Sequence, residues 1–456
     1  MIQDKDKRLT NLFLPEKKGS QPLKRSMSGY ELESFVLKND GRIDSSDILL
    51  AKAKENNMKK VVPEVGKEMI EILCMPHKKL SSTSLDFVEN LIQLSELAEK
   101  NNRILYPFGT YPGVFSPVIR KKSHYQMQKR IHGLDRFKIT GKCCGYHQHY
   151  AMPRGVFDHK KKFLKYSANS KIKRTFLDSF NILNALDPVV TSFLQSSPFV
   201  DNKYVAKDSR VLLFRGGSKL NFAQGLFSKN QFFGALSPYK QTLNDLISTL
   251  NRRFSKWKKL VADQKLDPEE YCKEKDMLKY AWNPVKVNQK GTLELRSGDA
   301  NYLTNIFAVS TMITFTLRKI QQDFMLVIPM DLDLKDSFKI ENNMIFIPPH
   351  SVVRKQLQKA SAYEGLKNND VHTYANAFFK FVKEHVYKEY MHLLEPVKEM
   401  LDSKETLSDQ MIDKAKKDGY KDEITDEYAK EFALYYAEKF PNDLQKAKEM
   451  LMKIND

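Results

Sequence analysis

The stretch YELESFVL, from Tyr30 to Leu37, has strand character but carries two glutamates two residues apart. Side chains of a strand alternate faces with period two, so Glu31 and Glu33 share one face and Leu32 lies on the other. Three more stretches repeat this pattern. In EMIEILC, ending at Cys74, Glu71 shares a face with Met69 and Leu73, while Ile70 and Ile72 face away. In GYHQHY, ending at Tyr150, His147 and His149 share a face. In TLELRSGD, ending at Asp299, Glu294 and Arg296 share one, with Leu293 and Leu295 behind. Each strand offers an apolar back and a front of acids, imidazoles or a guanidinium.

One Glu-x-Glu strand is ordinarily the solvent face of a sheet edge. Four polar fronts in one chain point elsewhere. Side by side, their carboxylates repel unless cations sit among them. Oxygen-rich sites favour Mg²⁺, or Mn²⁺ where an imidazole joins the carboxylates. Carboxylate-ringed metals with arginines nearby suit phosphoryl transfer from a nucleotide. The chain has no GxxxxGK[ST] loop, which argues against a P-loop enzyme.

Around these stretches the order of elements is mixed. SLDFVENLIQLSELAEKNN (84–102) has helical periodicity, and ILYPFGTYPG reads as a strand entering a loop. Residues 138–152 are predicted as a strand, 174–198 as a helix broken at Pro188, 209–215 as a strand and 240–262 as a helix. Residues 285–297 are predicted as one strand and 300–322 as a long apolar helix. From about 366 the chain reads as nearly all helical. Strands do not alternate regularly with crossover helices, so the expected class is α+β, an antiparallel sheet with helices on one side. Residues 1–27 read as a flexible basic arm.

Lys and Arg number 75 against 56 Asp and Glu, a net charge of +19, which admits nucleic acid, acidic membranes or anionic substrates as partners. No RNP sequence or KH-type clamp is present, so nucleic acid is not the expected partner. The apolar run IFAVSTMITFTL is too short to span a bilayer, and no signal peptide is visible, so a soluble cytoplasmic protein is expected. The four cysteines form no CxxC pair, which argues against a zinc framework or disulfide scaffold. The adjacent Cys143 and Cys144 read as packed thiols.

In order, ELESF, PEVGKEMIEIL, PFGTYPG, CCGYHQHY, LDPVVTSFLQSSPF and VKVNQKGTLELRSGD resemble the glutamate–cysteine ligase type 2 (carboxylate–amine ligase) family, and LQKASAYEGL resembles its following segment. The resemblance covers roughly residues 28–370, which would be the catalytic domain, leaving 371–456 as a helical C-terminal extension. It implies a glutamine synthetase-like core, a curved antiparallel sheet whose concave face holds Mg²⁺, ATP and an amino acid. It also implies the reaction, in which the glutamate γ-carboxylate takes the γ-phosphoryl group of ATP and the cysteine amine then displaces phosphate. Glu31, Glu33, Glu64, Glu71, His147 and Glu294 match metal-binding positions. Glu64 is seven residues from Glu71, so it would reach in from the loop by Pro63 and Gly66. Glu68 would face solvent or support the ligands. His149 would then lie deeper on the same face and contact the amino acid. Arg296 and Arg210 match arginines for phosphate or substrate, with Arg215 as the alternative, and Thr110 with Gly109 would shape a substrate loop.

The chain departs from the family pattern at HQHYA, where HVHVG is common, and at Lys359, Ala360 and Ser361, where arginines are common. Tyr150 and Ala151 lie near the acceptor side, so another amine stays open. Homo-oligomerisation also stays open. An inactive nucleotide- or nucleic-acid-binding relative and a metal-dependent phosphate-ester hydrolase are the other readings.

Overall fold

The computed structural model describes residues 26–166 and 170–454; most of the basic arm expected over 1–27 lies outside them. The chain folds as an α+β protein built on one seven-stranded antiparallel sheet. Its strands are β1 (Ser28–Lys38), β2 (Val61–Pro63), β3 (Met69–Leu73), β4 (Arg103–Tyr106), β5 (Tyr146–Ala151), β6 (Val285–Asn288) and β7 (Thr292–Leu295). The order across the sheet is β6–β7–β5–β1–β3–β2, with β4 also pairing with β1. Thus β7, β5, β1 and β3, the four strands with polar fronts, are consecutive neighbours. Register completes the arrangement. Glu33 is opposite Glu71, Glu31 opposite His147, and His149 opposite Glu294.

The back of the sheet packs on two long helices, α1 (Leu80–Lys100) and α2 (Leu303–Asp323). Tyr30 meets Phe87 of α1 and Phe307 of α2 with ring centres 5.5 and 6.4 Å apart. Phe87 is fully buried, worth about 2–3 kcal/mol for a side chain of this size. Even the polar back-face groups are matched by α2. The Tyr146 hydroxyl lies 2.7 Å from Ser310 Oγ, and Gln148 Nε2 donates to Thr314 Oγ1 at 2.9 Å. Helix α3 (Phe440–Met452) closes this layer. Its Asp443 accepts from the Leu303 N–H at 2.5 Å and from the Thr304 hydroxyl at 2.5 Å, capping the start of α2. Residues beyond 370 therefore share the core of the sheet. Among the described residues no helix is long and apolar enough to cross a membrane.

Four local expectations are corrected. Ser209–Arg215 is a helix rather than a strand. Its apolar run has no period that separates the two, and the Asp208 carboxylate caps it by accepting from the Val211 N–H at 2.8 Å. The single strand expected at 285–297 is the β6–β7 hairpin. Gly291, at φ +80°, supplies the left-handed residue of its turn, and Asn288 Oδ1 accepts from the Lys290 N–H. The strand expected over 138–152 begins only at Tyr146, after a helix at Leu134–Lys138 and a 3₁₀ turn at Ile139–Gly141. The helix break is at Leu186, and Pro188 sits in the first turn of the second helix, Asp187–Phe193, where its missing N–H costs nothing.

Candidate active site

The front of the sheet carries three overlapping groups of side chains whose oxygen and nitrogen atoms lie within 4.8 Å of one another. They are Glu33, Glu64 and Glu71; Glu31, Glu71 and His147; and Glu31, His149 and Glu294. Glu31 and Glu71 are each shared by two groups. Glu64 is the outlier in sequence. It follows the edge strand β2 and reaches the array from the β2–β3 connection, its Oε2 accepting from the Val65 N–H at 2.7 Å. His149 Nε2 is 3.1 Å from Glu31 Oε1, while its Nδ1 is 2.8 Å from Thr292 Oγ1. His149 therefore joins a potential ligand group, a place the sequence reading gave only to His147.

Charge divides the array. On the β7 side the acids have cations. Lys290 Nζ is 2.9 Å from Glu31 Oε1, Lys286 Nζ is 3.8 Å from Glu294 Oε2, and Arg296 bonds Glu294 Oε1. Burial alone would raise Glu294, but Lys286 and Arg296 hold it far below the carboxylate range. Burial would also raise Glu31, and His149 and His147 outweigh it. On the β3 side, among the described residues, no Lys or Arg is within ion-pairing distance of Glu33, Glu64 or Glu71. Burial, then Glu64, pushes Glu33 up to about 8. Burial, then Glu64, Glu31 and Glu33, raises Glu71 well above the carboxylate range, and burial raises Glu64. His147 is pushed down to about 4 by burial and then by Arg296, so its imidazole is neutral at pH 7 and has a lone pair to give.

Arginines and a glycine complete the site. Arg210 comes from the 209–215 helix, and its guanidinium donates to the Arg296 and Ser297 carbonyls at 3.4 Å. It lines a small pocket with Arg296, Trp282 and Pro284. Gly145 permits this approach, because a Cβ there would lie 2.1 Å from Arg210 Nη2. The Gly145 N–H also donates to Glu33 Oε2 at 2.7 Å.

Other residues stand differently from their expected roles. Arg215 borders the same pocket, but its two terminal nitrogens hold Asp187 at 2.6 and 2.8 Å. Thr110 is buried, and its hydroxyl donates to the Phe199 carbonyl at 2.8 Å. Its neighbour Gly109 lies where a Cβ would meet the Asp299 carboxyl at 2.5 Å. Glu68 is buried rather than solvent-facing, and its carboxylate accepts from the Val118 N–H at 3.0 Å, anchoring the 111–120 loop. Lys286, Lys290 and Asn288 were not singled out in the sequence; seeing the hairpin at Gly291 would have put Lys286 opposite Glu294. Tyr125, from the helix Ser123–His132, faces the acids, and burial together with Glu64, Glu71 and Glu33 pushes its phenol up. Its basic segment gives no signal of this.

The whole architecture matches that of the glutamate–cysteine ligase of Francisella tularensis solved in complex with AMP. The TM-score is 0.58 at 14% identity, over 95% of this chain and 94% of that one. The chain has the fold of a glutamate–cysteine ligase. A bifunctional glutathione synthetase from Pasteurella multocida also matches, with TM-score 0.55 and 11% identity over 91% of this chain and 53% of that one. No family model and no curated protein matches the sequence. The likeness to the ligase fold therefore lies in backbone architecture rather than in sequence.

Proposed function

We propose that the chain is an ATP-dependent carboxylate–amine ligase that joins the glutamate γ-carboxylate to the amine of cysteine. The observation that carries this reading is the Glu33–Glu64–Glu71 triad, one buried and two partly buried carboxylates with no Lys or Arg at ion-pairing distance among the described residues, beside a second ligand group that shares its strands. Burying like charges this way is costly unless an ion neutralises them, and hard oxygen donors with one neutral imidazole fit Mg²⁺ or Mn²⁺. Glu31, Glu33, Glu64, Glu71, His147 and Glu294 would hold the ions on the front of the sheet, with His149 beside Glu31 either as a further ligand or toward the amino acid. When bound, the ions offset charge on the phosphate oxygens of ATP.

The chain's own residues do the rest. Arg296 and Arg210 present planar forks that suit the transferring phosphoryl group. Lys286 and Asn288 hold Glu294 in place, and Asn288 Nδ2 donates to its Oε2 at 2.5 Å. A γ-carboxylate oxygen attacks the γ-phosphorus, the bond to the β,γ-bridging oxygen breaks, and ADP leaves. The amine then attacks the acyl carbon, loses a proton, and expels phosphate, giving γ-glutamylcysteine. Activation is needed because a carboxylate is a poor electrophile and its oxygen a poor leaving group. Residues 28–370 would be the catalytic unit, with the C-terminal helices bracing α2. The cysteines are free and buried, which fits a reducing cytoplasmic setting.

The test is phosphate release from ATP with Mg²⁺ and glutamate, adding cysteine and then other amines, with product mass as readout. A mass for γ-glutamylcysteine, lost in Glu294→Gln and reduced about 100-fold or more in Arg296→Lys, is the expected result. Turnover with a different amine keeps the ligase and changes the acceptor. A folded, metal-loaded protein that hydrolyses no ATP with any amine refutes the ligase.

A further inference from the structure

A second charged cluster shares no residue with the acid array or with the Arg210–Arg296 pocket. The helix Leu243–Asp263 buries Leu250, Arg253 and Trp257 along one face. An arginine at a core position of an amphipathic helix is out of pattern. Arg253 is only 7% exposed, and its Nε is buried with no hydrogen-bond partner. Among the described residues none of its five N–H groups has an acceptor. Instead it packs on Phe232, with its guanidinium carbon 5.3 Å from the ring centre. Arg252 at 5.4 Å and Lys256 at 4.6 Å approach the same ring. Lys240 adds a fourth charge, its Nζ donating to Thr249 Oγ1 at 2.9 Å.

The nearby acids are used elsewhere. The Asp245 carboxylate accepts from the Thr242 N–H in a capping box, and Glu269 pairs with Lys258. Burial, then Arg252, pushes the Arg253 guanidinium down to about 10, and burial, then Arg253, lowers Lys240. A ring face is a weak partner for a buried guanidinium, which ordinarily meets a carboxylate or phosphate with paired N–H bonds.

We propose that Arg253, Arg252, Lys256 and Lys240 form a binding site for a phosphate-bearing small molecule beside Phe232. Four positive charges against the single acid Asp245, itself held in a capping box, match a dianion, and the planar fork of Arg253 matches two phosphate oxygens. The recessed position of Arg253 favours a compact anion over an extended polymer. The phosphate could be free or carried by a nucleotide, and the two sources separate by experiment.

The full chain in EDTA is melted and titrated calorimetrically with inorganic phosphate, and in parallel with adenosine 5′-monophosphate. Saturable binding near one equivalent with a rise in Tm is expected. Binding of both probes, each lost in Arg253→Met, assigns the site to a phosphomonoester, and Arg253-dependent binding of phosphate alone assigns it to the free ion. Arg253→Met should abolish the response and raise Tm in phosphate-free buffer, because an uncompensated buried charge is removed. The exposed pair Arg252→Gln/Lys256→Gln, which leaves the core untouched, should weaken binding about tenfold, and Glu294→Gln should leave it unchanged. The proposal is overturned if neither probe binds saturably. It is also overturned if Arg253→Met or the double variant responds like the wild type, or if Glu294→Gln abolishes the response.

Discussion

Replacing Glu33 by Gln should make the metal-free protein more stable at alkaline pH while abolishing ATP turnover. Glu33 titrates at about 8, against an ordinary 4.5, because it is buried beside Glu64. In the folded chain it therefore keeps a proton that the unfolded chain loses from about pH 4.5 upward. Stability then falls as pH rises, by up to about 1.4 kcal/mol per pH unit between about 4.5 and 8, and levels off above. The full penalty is at most about 5 kcal/mol, an upper bound because Glu64 and Glu71 share the relief. The amide keeps an oxygen for the Gly145 N–H that Glu33 Oε2 accepts at 2.7 Å, so the substitution opens no orphaned donor. An unfolding entropy near 2.1 cal/mol/K per residue gives about 1 kcal/mol/K for a chain this long, so the gain at pH 8.5 in EDTA is about 2–5 °C in Tm. At pH 5 the two proteins should melt together. Saturating Mg²⁺ should raise the wild type by about 3 °C at 100 times Kd and the variant by less. Scanning calorimetry from pH 5 to 9, with EDTA or Mg²⁺, reads all of this. Parallel pH slopes in EDTA, or a lower Tm for Glu33→Gln at pH 8.5, would refute the claim that these carboxylates repel in the absence of an ion.

Lys290→Ala should tighten Mn²⁺ binding by about two- to fivefold, since its exposed ammonium competes for Glu31 across a 2.9 Å pair worth about 0.5–1 kcal/mol; titration followed by electron paramagnetic resonance would show no change if Lys290 is a bystander. Arg215→Met should cost about 3–5 kcal/mol, roughly 3–5 °C, because Asp187 is left buried without its guanidinium, and Asp187→Leu in the same chain should recover much of the loss. If Arg215 instead contacts nucleotide, the double variant would regain stability yet show a raised KM for ATP.

Some of this protein follows from sequence alone. Alternation along a strand is covalent geometry, so YELESFVL, EMIEILC, GYHQHY and TLELR each announced a polar front and an apolar back without any fold. Helical periodicity likewise marked α1 and the apolar α2, and the order of motifs pointed toward the ligase fold. Sequence could not make the four fronts adjacent. Strand order is set by which backs pack on α1 and α2, through contacts such as Tyr30 with Phe87 and Gln148 with Thr314, and these join residues far apart in the chain. Tertiary structure brought Glu64 in from a connection that obeys no alternation. It turned an expected strand into a hairpin that lays Lys286 and Lys290 on the acids, and it gave Arg215 to Asp187. Among the described residues it also left Glu33, Glu64 and Glu71 with no Lys or Arg at ion-pairing distance. A side chain's face is a local property of its own strand, whereas its electrostatic surroundings are assembled from every element that packs around it.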